Sequence, residues 1–237
     1  MFKKAHIFLF FLSLSNLLYA ESYVVSLGNE RVIVQKEHSG VGPTFVHLHQ
    51  NEKTALTAAR AVMKSSGGNL LTLRHSGGRN IVFYLQHRRY EFDPNRIFTE
   101  KGIRQTLQRY GHYSQAAHDK VRELATCIKR LIPRGKIIAV HNNQTYSLKN
   151  YKKGQDLASE VRALHLDKKQ SHRNFFLVTR KDDFLRLKQL NYNSIWQKAH
   201  PRDDGSLSVY FANKTYINVE AGHHQLRTQI RMLHKIV

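Results

Sequence analysis

With a single cysteine, Cys127, this chain can form no internal disulfide, and any metal it holds must be held by imidazole and carboxylate rather than thiolate. Cys127 sits in a helical apolar stretch (Val121, Leu124, Ala125, Ile128, Leu131) and reads as a small core residue. Prolines number only 4, with no Pro-rich linker, internal repeat or low-complexity stretch, which argues against a chain of tethered modules. Beyond Ala20 no apolar run is long enough to read as a membrane span. Acidic residues are also scarce: 17 Asp and Glu against 38 Lys and Arg, a formal net charge of +21. That excess favours anionic partners such as an anionic cell-envelope polymer. The basic residues are scattered over every segment and form no recognisable nucleic-acid module, so sequence-specific nucleic-acid binding is not expected.

The start of the chain reads as an export signal over residues 1–20. Lys3 and Lys4 precede an apolar run from Ile7 to Leu18, and Ala20 offers a small residue for cleavage. The expected destination is the periplasm or the exterior. No cysteine follows the cleavage point, so lipid attachment is not expected there. Residues 21–237 have the length of one domain with a large core.

Strand patterns occur at Tyr23–Ser26, Arg31–Gln35, Thr44–His49, Asn69–Arg74, Asn80–Gln86, Lys136–Val140, Asn174–Thr179, Ser206–Ala212 and Thr215–Glu220. Helical patterns occupy Thr54–Lys64, Lys101–Tyr110, Gln115–Leu131, Leu157–His165, Lys181–Leu190 and His224–Ile236. This alternation predicts an α/β/α sandwich on a mixed sheet.

Four short segments carry the chemistry. His49 and Glu52, three apart at a strand end, can point the same way from a turn, and with His141 they make a nitrogen and oxygen donor set for one Zn²⁺ that leaves a position open. His47 is a competing imidazole that would share a strand face with His49, and it reads as a supporting residue. In Asp93-Pro94-Asn95-Arg96, Arg96 can pair bidentately with a substrate carboxylate while Asn95 hydrogen-bonds it. Upstream, Arg88 or Arg89 would stabilise a developing oxyanion, with Arg88 preferred. Glu220, closing a strand, is the candidate proton carrier, and His223 and His224 beside it read as rim or helix-start residues. His49, His141 and Glu220 all fall at strand ends, where open α/β sheets gather their ligands.

Taken together, His49-x-x-Glu52, Asp93 to Phe98 with Arg88 upstream, His141 and Glu220 resemble the zinc carboxypeptidase superfamily, in particular its aspartoacylase and succinylglutamate desuccinylase branch. The resemblance spans roughly residues 44 to 222 and implies one zinc ion, with Glu220 and Arg88 catalytic and Asn95 and Arg96 binding substrate. There are departures: Gln50 stands where that branch usually has Gly, and Pro94 where it often has Leu. Too few residues follow Glu220 for the branch's C-terminal β domain, so the catalytic core is implied and the small acyl-amino-acid substrate is not. The expectation is an exported zinc metallocarboxypeptidase acting on peptides with a free carboxylate, such as peptidoglycan stem peptides. An N-acyl amino-acid deacylase, or a non-catalytic basic protein coating anionic envelope surfaces, are the alternatives.

Overall fold

The computed structural model describes residues 19–237, so the expected export segment lies, apart from Tyr19 and Ala20, outside the described residues. Eleven strands form in this part of the chain: β1 (Tyr19–Leu27), β2 (Glu30–Ser39), β3 (Thr44–His47), β4 (Gly68–Arg74), β5 (Ile81–Leu85), β6 (Arg88–Phe92), β7 (Ile137–Asn143), β8 (Val161–His165), β9 (Phe175–Val178), β10 (Ser194–Gln197) and β11 (Tyr216–Gly222). Six helices accompany them: α1 (Lys53–Ser66), α2 (Glu100–Tyr110), α3 (Gln115–Leu131), α4 (Lys181–Gln189), α5 (Leu207–Tyr210) and α6 (Leu226–Leu233).

Nine strands make one mixed sheet in the order β1-β2-β4-β3-β7-β11-β9-β10-β8, while β5 and β6 form a separate hairpin. At its centre β4, β3, β7 and β11 run parallel, in the register Thr44 to Ile137 between β3 and β7 and Glu220 to His141 between β11 and β7. Their carboxyl ends therefore share one edge.

Period-two alternation sorts each central strand into two faces. From β7 and β11, Ile138, Val140, Ile217 and Val219 pack with Ala55, Val62, Phe184, Leu187 and Met232 of α1, α4 and α6. On the other face Ala139 and Tyr216 join Leu107 of α2, Val121 and Leu124 of α3, and Phe83 and Phe92 of the hairpin. Helices thus cover both faces, giving the expected α/β/α sandwich. Burial of these apolar side chains drives the arrangement, at about 25 cal/mol per Å².

Local signals agree with the long helices. Thr99 Oγ1 accepts from Gly102 N at 3.0 Å to start α2, and Ser114 Oγ accepts from Ala117 N at 3.1 Å to start α3, each satisfying a donor the helix cannot. Two expected elements are different. Leu157–His165 is not a helix: a 3₁₀ turn at Ala158–Glu160 leads into β8, which pairs antiparallel with β10. A short apolar run does not distinguish the two periods, and the partner strand decides. Ser206–Ala212 is likewise no strand. Asn95 Oδ1 accepts from Leu207 N at 3.1 Å, and the segment closes as the helical turn α5. Close packing holds this region against α2, because a Cβ on Gly102 would lie 2.3 Å from the Gly205 Cα.

Candidate metal centre and cavity

His49 follows β3, His141 lies near the end of β7 and Glu220 near the end of β11, so three neighbouring parallel strands deliver them to one edge. Glu52 arrives by a turn in which its own N–H donates to the His49 carbonyl at 2.9 Å, immediately before α1. The start of a helix favours a carboxylate electrostatically.

The His49, Glu52 and His141 side chains converge. Nδ1 of His49 is 3.0 Å from Glu52 Oε1 and 3.2 Å from His141 Nδ1, and His141 Nδ1 is 3.0 Å from Glu52 Oε2. A tetrahedral zinc site with bonds of about 2.0–2.1 Å separates its donors by roughly 3.3 Å; the two imidazole nitrogens are nearly at that spacing, and each faces a different oxygen of Glu52, with one donor atom from each residue within 4.8 Å of the others. Their chemistry fits as well. Two imidazole nitrogens and a carboxylate facing one another with exposures of 1, 4 and 1% need a proton or a cation between them.

Asp93 fixes the orientation of His49. Its Oδ1 is 2.8 Å from His49 Nε2, so the ring donates there and turns Nδ1 toward Glu52 and His141. In the metal-free cluster burial disfavours the charged imidazolium of His49, but Glu52 and Asp93 outweigh it and push its pKa up to about 9. Burial would raise the Glu52 carboxyl, yet the two imidazoles hold it well below its usual range. The His141 Nε2 nitrogen is buried with no partner among the described residues, so only one of the two histidines has a carboxylate behind it.

His47 has a different place from that expected. Because β3 ends at His47, His49 is no longer on the strand and the two do not share its alternation. His47 Nε2 instead bonds the Glu52 carbonyl at 3.0 Å, and burial lowers its pKa to about 4. It supports the turn that carries Glu52. Asn142 supports the same carboxylate from β7: its N–H donates to Glu52 Oε2 at 3.1 Å, and its Oδ1 accepts from Ala55 N at 2.8 Å at the start of α1.

Beside the cluster opens a cavity of about 480 Å³, lined by all three candidate ligands and by Arg79, Asn95, Arg96 and Glu220. Glu220 is 5% exposed. Asn143 Nδ2 donates to its Oε2 at 3.0 Å and Asn218 Nδ2 to its Oε1 at 3.1 Å, so both carboxylate oxygens are fixed. Tyr146, Tyr151 and Tyr216 complete this end of the cavity. Their burial, reinforced by the charge of Glu220, holds the phenols above their ordinary pKa and keeps them neutral. Arg96 reaches the cavity wall, where its Nη1 lies 3.2 Å from Asp204 Oδ2. His223 lines the rim as expected.

Arg88 and Arg89 do not reach the site. Both are exposed on the β5–β6 hairpin, directly after its two-residue turn at Gln86 and His87, whose φ angles of 49° and 61° suit a tight hairpin. The arginine at the cluster is Arg79, from the loop after β4, whose Nη1 pairs with Glu52 Oε1 and whose Nη2 is 3.8 Å from Asp93 Oδ2. Sequence reasoning missed it. Strand order places it there: β4 is a parallel neighbour of β3, so the loop at its carboxyl end belongs to the same edge, a pairing that residue type and spacing do not show.

The fold and the cluster define an α/β/α protein with a buried His–Glu–His centre compatible with one zinc ion. No family model and no curated protein matches the chain. Among solved structures it is similar to the crystal structure of an aspartoacylase family protein from Mesorhizobium loti, at 13% identity and a TM-score of 0.41. The match covers 92% of this chain and 65% of that one. A likeness at that level identifies no activity, and the chemistry rests on the site itself.

Proposed function

We propose that this protein is an exported zinc-dependent hydrolase that cleaves an amide bond near a substrate carboxylate, as a metallocarboxypeptidase acting on peptides. The observation that supports it most is the buried convergence of His49 Nδ1, His141 Nδ1 and the Glu52 carboxylate, one donor atom from each within 4.8 Å of the others, beside a cavity that Glu220 also lines. A Zn²⁺ in that position would act as a Lewis acid and make water nucleophilic at neutral pH.

The chain's own residues supply the rest. Asp93 orients His49. Glu220, clamped by Asn143 and Asn218, takes a proton from the attacking water and returns it to the leaving amine. Arg79, rather than Arg88, stabilises the negative charge that develops on the carbonyl oxygen. Arg96 pairs with the substrate carboxylate, helped by Asn95, and the Tyr146, Tyr151 and Tyr216 end of the cavity receives the terminal side chain. The positive charge of the whole chain and the expected export favour peptides attached to anionic cell-envelope polymers, including peptidoglycan stem peptides.

Protein purified without chelators should contain about one zinc per chain and release C-terminal residues from peptides, with activity removed by chelation and restored by Zn²⁺. Full zinc retention in both His49→Ala and His141→Ala would place the metal elsewhere. Zinc-loaded protein that hydrolyses neither peptides nor wall fragments would refute the proposed activity.

A further inference from the structure

Behind Arg96 lies a second cavity of about 330 Å³ that shares Arg79, Arg96 and Asp204 with the first. Its own lining is Asp93, after β6, and Gln105, Thr106, Arg109 and Tyr110 of α2. Three guanidinium groups therefore border one small space. The carboxylates there are already committed: Asp93 accepts from His49, and Asp204 pairs with Arg96 and accepts from Ser206 N at 3.0 Å. Arg109 has no carboxylate partner among the described residues; its guanidinium carbon sits 5.6 Å from the Tyr110 ring centroid, a position that steadies the group without neutralising it. Arg79 pairs with Glu52 through Nη1 and reaches Asp93 with Nη2 only at 3.8 Å, and Arg96 spends a single nitrogen on Asp204.

We propose that this second cavity is a binding site for a phosphate-bearing anion, held by Arg109 together with Arg79 and Arg96. A carboxylate is satisfied by one guanidinium fork, whereas a phosphate offers more oxygens and up to two charges and can take forks from two or three arginines at once. The volume admits either inorganic phosphate or the phosphoryl end of a larger molecule. Occupancy would also reach the metal centre, because an anion in the second cavity gives Arg79 a partner other than Glu52. The binding itself does not depend on the hydrolase reading.

The test uses metal-free full-length protein, so that no ion at the cluster can bind the anion directly. Inorganic phosphate, glycerol phosphate and acetate are each titrated by calorimetry against the parent, Arg109→Ala and Arg88→Ala. Arg88 is an exposed arginine on the hairpin and controls for the loss of one positive charge from a basic protein. Expected is saturable phosphate binding, weakened at least about tenfold by Arg109→Ala and unchanged by Arg88→Ala, with acetate binding more weakly. Glycerol phosphate binding as tightly as phosphate would identify a phosphorylated molecule as the ligand, and its failure to bind would identify free phosphate. Absence of saturation, equal losses in the two variants, or acetate binding as well as phosphate would overturn the proposal. Hydrolysis does not enter any of these readouts.

Discussion

His49 Nε2 lies 2.8 Å from Asp93 Oδ1, and this contact selects which ring nitrogen His49 presents to Glu52 and His141. Without it the ring could present either nitrogen or rotate out of register. Asp93→Asn should therefore weaken zinc by about 10–100-fold while leaving the fold intact, because the amide can be held in the same place without fixing the tautomer. Zinc competition against a chromogenic chelator measures this. Parent-like affinity would show that the ring is held by packing alone.

Glu220 stands one strand from His141, in register, with both its oxygens held by asparagine amides. Glu220→Gln should keep zinc and lose at least about 10²–10⁴ in turnover, the usual contribution of a general acid–base group. Metal analysis and peptide hydrolysis on the same preparation separate the two effects. Undiminished turnover in folded, zinc-loaded Glu220→Gln protein would remove Glu220 from the mechanism.

Arg79 and Arg88 make opposite predictions. Arg79→Ala removes the cavity's candidate oxyanion donor and should lower kcat by about 10²–10³, whereas Arg88→Ala, on the exposed hairpin, should change it little. Steady-state kinetics on one peptide decides between them. The reverse ranking would mean that the hairpin folds over the cavity during catalysis.

For Arg96 the readout is a comparison of substrates. Because the Arg96 side chain is 39% exposed, Arg96→Ala should weaken use of peptides with a free terminal carboxylate by roughly 1.5–3 kcal/mol, the scale for a hydrogen bond to a charged group, and should scarcely affect amidated ones. Equal discrimination in parent and variant would assign the carboxylate to another residue.

In the metal-free protein His49 has a folded pKa of about 9 against an ordinary 6.5, since Glu52 and Asp93 outweigh the cost of burial. A raised pKa stabilises the fold fully below the unfolded value, and that contribution, on the order of 3 kcal/mol, is lost as pH climbs through about 9. Urea unfolding of the metal-free chain should thus show falling stability across this window. His49→Gln should flatten the fall. In the same window zinc must displace the His49 proton, so zinc binding should release a proton that calorimetry in buffers of different ionisation enthalpy can count.

The sequence by itself determined the elements with strong local signatures. Gln115–Leu131 has a sustained apolar stripe, and its helix spans those same residues. The apolar strands around Ile138 and Val219 could be read in the same way, because a strand buried between two helical layers is apolar whatever its partner. His49, Glu52, His141, Asn95, Arg96 and Glu220 were nameable from residue type and spacing, and all six line one cavity. Only the tertiary structure decided the rest. Whether Val161–His165 is strand or helix depends on Ser194–Gln197 lying alongside it, and whether Leu207 begins a helical turn depends on the distant Asn95 side chain. Local propensity carries no information about either partner. The choice of arginine follows the same logic. Arg88 and Arg79 are chemically identical, and strand order alone brings the loop after β4 beside β3 while the β5–β6 hairpin turns Arg88 toward solvent. Asp93 reads locally as a turn residue, and it becomes the partner of His49 because the fold closes a separation of 44 residues to 2.8 Å.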